Sequence, residues 1–205
     1  MNNKKINEYN NKYSHIPNDL YERFITIISD LNIKPKEIDK IKSHIKRNLR
    51  MKYHTLSFVF YFIPQATPRP RYSRFTKSFY VKNILNYNEI FRDFIENTSD
   101  IDFLITTPCE FECKTYFPIP KAMNRVESVV AEVGLIHNIR KPDWDNLGKT
   151  YSDMVQKHLI ADDSLIYKGT VEKLYSYKPR IEITIKYADE FDSKFNQSKK
   201  TLIEK

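Results

Sequence analysis

The sequence predicts an α/β protein with a mixed sheet and packed helices, preceded by an N-terminal helical hairpin. Alternating apolar and polar residues at 109–117 and 181–187 predict strands. Apolar residues at helical spacing around 85–95 and 145–159 predict helices between strands. Strands and helices interleave without strict strand–helix–strand alternation, which indicates a mixed sheet with helices packed on it.

Two amphipathic helices are predicted before this sheet. The first begins with Asn18 or Asp19 as its cap, and its apolar face carries Leu20, Phe24, Ile27, Ile28 and Leu31. The second has an inward face that carries Ile38, Ile41, Ile45 and Leu49. We therefore divide the chain into a helical extension at 1–51, an α/β domain at 52–188, and a charged tail at 189–205 that we expect to be flexible.

A strongly basic segment at 67–82 follows a predicted central strand at 53–63. It contains Arg and Lys but no acidic residue, and aromatic residues interleave with the cations. Arginine neutralises phosphates, while aromatic rings stack on unpaired bases or pack onto the domain. We select Arg69, Arg71, Arg74 and Lys77 as DNA-contacting residues, since Pro68 and Pro70 stiffen the backbone around the first two. An ordinary basic loop anchored by its aromatics is the alternative.

Composition limits the classes of function. The 205 residues carry a formal charge of +8, which favours a polyanionic partner such as nucleic acid or an acidic membrane surface. The chain has neither a long apolar run nor the apolar core of a signal peptide, so we expect no membrane span and a cytoplasmic protein. Cys109 and Cys113 would lie about 13 Å apart on one strand face, too far to bridge, and are expected to be buried thiols.

The acidic segment between 140 and 166 is the candidate centre of function. Asp143 and Asp145 precede a predicted helix, for which Asp145 is a suitable N-cap, and Lys149 and Asp153 follow at helical spacing. Asp162-Asp163 follows the helix. If the chain folds back, three or four carboxylates converge with Lys149.

Clustered carboxylates repel each other unless a cation lies between them, and Mg²⁺ prefers oxygen ligands. Such an ion can polarise a phosphodiester and orient an attacking water, and Lys149 would stabilise the developing negative charge. Cys and His are too sparse to favour zinc. The alternative is structural, because Asp before a helix is often a cap and Asp-Asp after a helix is often a turn.

The segment 141–149, Lys-Pro-Asp-Trp-Asp-Asn-Leu-Gly-Lys, resembles the Lys-Pro-Asp-x-Asp-Asn-Leu-x-Lys signature of the RusA-like Holliday junction resolvases. Matches continue at 162–164, 171–173 and 179–183, and the resemblance covers roughly 56–187. It implies that Asp143, Asp145 and Asp163 are catalytic metal ligands and that Lys149 is the catalytic lysine. Leu165 departs from the family, which commonly has Gln there.

The resemblance implies a magnesium-dependent endonuclease, with Mn²⁺ as a substitute, that resolves four-way DNA junctions by paired nicks in recombination and repair. It also implies a homodimer, since a two-fold protein matches the paired strands of a junction. The domain at 52–188 would be the nuclease, and Lys141 joins the basic residues expected to bind DNA.

Three alternatives remain open from the sequence. The chain can be a nuclease for forks or flaps, or a non-catalytic DNA-binding protein with a structural acidic cluster. A basic membrane-surface protein is less favoured, because no amphipathic helix is rich in Trp or Phe. The roles of the helical hairpin, of His137 and of Lys173 are undecided at this level.

Overall fold

A computed structural model describes residues 17–67, 71–75, 77–80, 87–189 and 202–204. The helices are α1 (Asn18–Asp30), α2 (Pro35–Leu49), α3 (Tyr87–Asn97), α4 (Arg125–Glu132) and α5 (Trp144–Val155), with a short 3-10 helix at Asp163–Leu165. The strands are β1 (Tyr53–Phe60), β2 (Arg71–Ser73), β3 (Ser78–Tyr80), β4 (Phe103–Ile105), β5 (Cys109–Pro118), β6 (Ile166–Ser176), β7 (Arg180–Ala188) and β8 (Leu202–Glu204). No helix of the described chain is long and apolar enough to span a membrane.

The chain divides into two compact units, Met1–Lys52 and Tyr53–Lys205. The first contains α1 and α2, which confirms the helix pair, although its apolar faces are only partly covered. Phe24 is buried, whereas Leu31 is exposed. The predicted caps of α1 are wrong, because the helix begins one residue earlier: Pro17 is its N-cap and its carbonyl accepts the Tyr21 amide at 2.9 Å.

The second unit is built on a four-stranded sheet of order β1-β7-β5-β6. Strands β5 and β6 are parallel, whereas β7 is antiparallel to both β1 and β5, so the predicted mixed sheet is confirmed. The prediction of a central strand at 53–63 is wrong. In this sheet β1 is an edge strand that pairs with β7, and it ends at Phe60. The apolar residues of β1 do lie on both of its faces, but they are not all buried: Phe60 is buried, whereas Val59 is exposed.

One face of the sheet forms the hydrophobic core. The buried residues of β5 alternate as predicted, and the buried isoleucines of β7 lie in register with them. Helices α3 and α5 cover this face with side chains that include Phe94, Leu147 and Met154. Cys109 and Cys113 are buried within it, as expected, and burial raises the pKa of Cys109 to about 12.

The opposite face of the sheet is polar, and its charged side chains contact one another. We call it the outer face, and the residues that define it here are Tyr53, Glu110, Glu112, Lys114, Tyr167, Lys168, Glu182 and Lys186. Glu110 receives Lys168 Nζ at 2.9 Å and the Tyr167 hydroxyl at 2.7 Å. Hydrogen bonds from Lys168, which has the larger effect, and from Tyr167 lower the pKa of Glu110 to about 2.

Two smaller strand pairs complete the unit. Strands β2 and β3 form an antiparallel hairpin within the basic segment, where the sequence indicated a loop. Strand β8, in the predicted flexible tail, pairs with β4. Neither pairing has a sequence signal of its own, since each strand has three residues.

Candidate active site

Helix α5 presents the first two acids of the candidate site. It begins at Trp144, two positions earlier than a cap at Asp145 would place it, so Asp143 rather than Asp145 is its N-cap. Asp143 has an extended backbone, its carbonyl accepts the Leu147 amide at 3.1 Å, and its carboxylate makes no capping hydrogen bond within the described chain. Asp145 therefore lies in the first helical turn. Both acids are exposed.

The rest of α5 follows the predicted division of faces. Leu147, Tyr151 and Met154 are buried against the core, whereas Asp145, Lys149 and Asp153 are exposed. This confirms that the charged residues form a stripe of their own. The helix N-terminus also favours negative charge in its first turn, where Asp145 lies.

The edge strand β6 supports one side of this helix. Trp144 donates its indole Nε1–H to the Val171 carbonyl at 2.9 Å. One turn later, a Cβ on Gly148 would lie 3.1 Å from Val171 Cγ2. The small residue that weakens the helix thus allows its first turns to approach β6 closely.

The start of the basic segment is fixed to the other side of α5. The Thr67 amide donates to Thr150 Oγ1 at 2.7 Å, and Asn146 Nδ2 donates to the Thr67 carbonyl at 3.0 Å. Tyr151 exchanges hydrogen bonds with the backbone of Gln65, at 3.0 and 3.1 Å. The chain therefore enters its basic segment directly beside the exposed stripe of α5.

Most of the predicted DNA-binding cations fall within the described residues. Arg71 lies in β2, and Arg74 and Lys77 are exposed in the turn of the hairpin. Lys141 is exposed just before α5. Arg69 lies outside the described residues.

The loop before α5 is tied to β6 through its backbone. The buried Asn138 donates its amide to the Lys173 carbonyl at 3.1 Å, and its Oδ1 accepts the Arg140 amide at 2.9 Å. Lys173 Nζ donates to the Arg140 carbonyl. Lys173 thus holds the loop, which was undecided from the sequence, while His137 is exposed.

The two carboxylates of the Asp162-Asp163 pair have different roles. Asp162 caps the 3-10 helix, since its Oδ1 accepts the Ser164 amide at 2.9 Å, and the hydrogen bonds with Ser164 lower its pKa. Asp163 is exposed in the 3-10 helix. Leu165, where the family commonly has Gln, packs against the hydrophobic core.

Asp143 and Asp145 lie at the start of α5, whereas Asp162 and Asp163 follow its end in the chain. Gln156 is the C-cap of the helix and precedes Asp162 by six residues. Because a helix rises 1.5 Å per residue, Gln156 is roughly 16 Å from Asp145 along the axis. Accordingly, no three His, Cys, Asp or Glu side chains of the described chain form a group that could hold one metal ion.

The donor chemistry at the start of α5 nevertheless suits a hard cation. Mg²⁺ ordinarily takes one or two protein carboxylates and completes its shell with waters and substrate phosphate. Asp143 and Asp145 supply two exposed carboxylates of this kind. Asp163 of the same chain is not grouped with these two acids among the described residues.

Sequence reasoning missed the residues that position the site. Thr67, Asn146, Thr150 and Lys173 act by contacts between segments distant in the chain. Periodicity reports burial along one element and carries no signal for such contacts.

Comparison with known proteins agrees with this arrangement. The family model described as "Endodeoxyribonuclease RusA" matches residues 62–186, which is more than half of the chain. The chain is also 35% identical, over 85 residues, to the uncharacterized protein YqaN of Bacillus subtilis (strain 168). That match covers 40% of this chain and 60% of YqaN, so the chain spans less than two thirds of this relative. The chain belongs to the RusA endodeoxyribonuclease family.

Proposed function

We propose that the protein is a magnesium-dependent endonuclease that resolves four-way DNA junctions by paired nicks. One observation carries this proposal. Helix α5 exposes Asp145 and Lys149 while its other sides are fixed to the core, to β6 and to the start of the basic segment. Rigid support of exposed charged groups is what preorganised electrostatic catalysis requires.

Asp143 and Asp145 are the residues that would hold the ion. An ion bound there, Mg²⁺ or in its place Mn²⁺, would polarise the scissile phosphodiester and lower the pKa of a bound water. Lys149 lies one turn after Asp145 on the same exposed stripe. Its ammonium would stabilise negative charge that develops on the phosphate in the transition state.

Asp163 is the third catalytic acid of the proposal. Both members of the pair are exposed, but Asp162 serves as a cap, so Asp163 is the member assigned to ligation. Since Asp163 follows the far end of α5 from Asp145, we propose that a homodimer brings Asp163 of the partner subunit to Asp143 and Asp145. A dimer with two such sites also matches the two-fold symmetry of paired strand cuts.

The cations would hold the DNA backbone around this centre. Arg69, Arg71, Arg74 and Lys77 belong to the segment that begins on α5, and Lys141 precedes the helix. Their phosphate contacts would supply affinity that falls with salt. The net charge of +8 supports this role. We assign the activity to recombination and repair.

The test uses purified protein and an end-labelled synthetic four-way junction, with linear duplex and a fork as competitors. We expect paired, symmetric nicks in the junction with Mg²⁺, and none with EDTA. Asp145→Asn should abolish cleavage but retain junction binding. Glu112→Gln is the matched control, because it neutralises an acid on the outer face and should cut normally.

Other outcomes would contradict the proposal in identifiable ways. Equal cutting of the fork would contradict junction specificity and indicate a general structure-specific nuclease. Tight binding without cutting under any divalent ion would indicate a DNA-binding protein whose acids are structural.

Mixed dimers test whether the site is shared between subunits. We would mix Asp145→Asn with Asp163→Asn chains and allow subunits to exchange. A shared site leaves one of two sites intact in the mixed dimer, so single nicks should appear although each variant alone is inactive. Complete inactivity of the mixture, despite proven exchange, would place all the acids of each site in one chain.

A further inference from the structure

Trp144 is the chain's single tryptophan, and it lies between the two acids at the start of α5. Its side chain is 57% exposed. Large aromatic residues are usually well buried, so the exposure of a tryptophan between two proposed metal ligands indicates a functional role.

The ring is held in place without being covered. Its Nε1–H donates to the Val171 carbonyl on β6 at 2.9 Å. Gly148, one turn later, allows the helix to approach the same residue, since a Cβ added at this position would lie 3.1 Å from Val171 Cγ2. An anchored ring loses little further conformational freedom when a flat group stacks on it.

The neighbours of Trp144 favour a nucleic-acid partner over a protein one. Arg140 and Lys141 are exposed just before it, and Asp143 and Asp145 flank it with exposed carboxylates. Protein interfaces are depleted of charged residues at their cores. An aromatic platform beside cations is instead the arrangement with which proteins bind unpaired nucleotides.

We propose that Trp144 stacks on a nucleobase exposed at the DNA branch point, beside the phosphate to be cut. This inference rests on the proposed function, because it requires the DNA strand to cross the start of α5. Stacking would select strands whose bases are accessible and so contribute to the preference for branched over linear DNA. Trp144 would act in specificity, without taking part in bond cleavage.

The single tryptophan provides a direct measurement. In EDTA, which prevents cutting, the four-way junction is titrated into the protein while tryptophan emission and the anisotropy of labelled DNA are recorded. We expect quenching of the emission that saturates together with the anisotropy. Linear duplex of equal length, bound to the same extent, should quench much less, because its bases remain stacked on each other.

Variants separate stacking from folding. Trp144→Leu should weaken junction binding by roughly 10-fold, and Trp144→Phe, which retains a ring, should weaken it less. Tyr53→Leu is the control, because Tyr53 is an aromatic residue 43% exposed on the outer face. It should bind the junction as the unmodified chain does.

The opposing results are distinct. Unchanged tryptophan emission at saturating junction would overturn the inference, as would equal binding by Trp144→Leu. An emission shift that depends on protein concentration without DNA would also overturn it, by assigning the ring to a protein interface. Quenching without any cleavage in Mg²⁺ would contradict the proposed function but support stacking by Trp144.

Discussion

The start of α5 and the outer face of the sheet are both rich in charge, but they use it differently. On the outer face the charged residues themselves make the structural contacts, as in the group of Glu110, Lys168 and Lys186. At the start of α5, uncharged neighbours of the acids make the contacts that hold the helix to β6 and to Thr67. Trp144 holds β6, and Asn146 holds Thr67.

Charge alone therefore does not distinguish a structural side chain from a functional one. A charged side chain bound to other charged side chains on a strand is part of the scaffold, and its removal changes stability slightly. Where uncharged neighbours anchor a helix, as at the start of α5, its exposed charged side chains are not needed to hold it in place and can act on a ligand. The distinction depends on which residues carry the anchoring contacts, and it gives three predictions.

The largest expected effect contrasts two lysines. Lys149→Gln removes the proposed positive charge from the α5 stripe, so we expect junction cleavage to fall by roughly 10²–10³-fold, as for other lost transition-state donors. Lys168→Gln on the outer face should leave cleavage unchanged and alter the free energy of unfolding by about 1 kcal/mol or less. Single-turnover cleavage and chemical denaturation measure both. Equal loss of cleavage in the two variants would contradict the claim that the two regions use their charged residues differently.

An effect of intermediate size concerns the contact of α5 with β6. Alanine favours a helix over glycine by about 1 kcal/mol, but a Cβ at position 148 would press on Val171 Cγ2 at 3.1 Å. We therefore expect Gly148→Ala to stabilise the protein by about 1 kcal/mol only when Val171→Ala is also present, and by less in its absence. Denaturation of the single and double variants measures the coupling. Additive effects would show that the contact does not constrain the helix.

The smallest effect is the pH dependence of the outer face. Glu110 has a folded pKa of about 2, below its usual 4.5. A lowered folded pKa stabilises the protein above the unfolded pKa, and that contribution is lost as pH falls toward the folded value. Glu110→Gln should therefore be less stable at neutral pH by about 1 kcal/mol or less, since the group is partly exposed.

The difference between Glu110→Gln and the unmodified chain should shrink as the pH is lowered to about 3. Unfolding midpoints across this range provide the measurement. A constant difference would mean that packing, and not the charge of Glu110, accounts for the effect.

Several features of the fold and site were predictable because they are local. Alternation identified β5 and β7, and helical spacing separated the charged stripe of α5 from its buried residues. Other predictions failed, one over the exact start of a helix and one over strand order, which tertiary packing decides. Asp143 replaced Asp145 as the cap, and β1 lies at the edge of the sheet although its composition suggested the centre.

The sequence by itself determined the mixed α/β class, the family, and the helix that exposes Asp145 and Lys149, because periodicity and motif spacing are properties of a continuous segment. Only the tertiary structure decided what surrounds that helix. It joined Thr67 to Asn146, Lys173 to Arg140 and Trp144 to Val171. Contacts around this helix join residues up to 86 positions apart, and their geometry depends on how the sheet and helices pack.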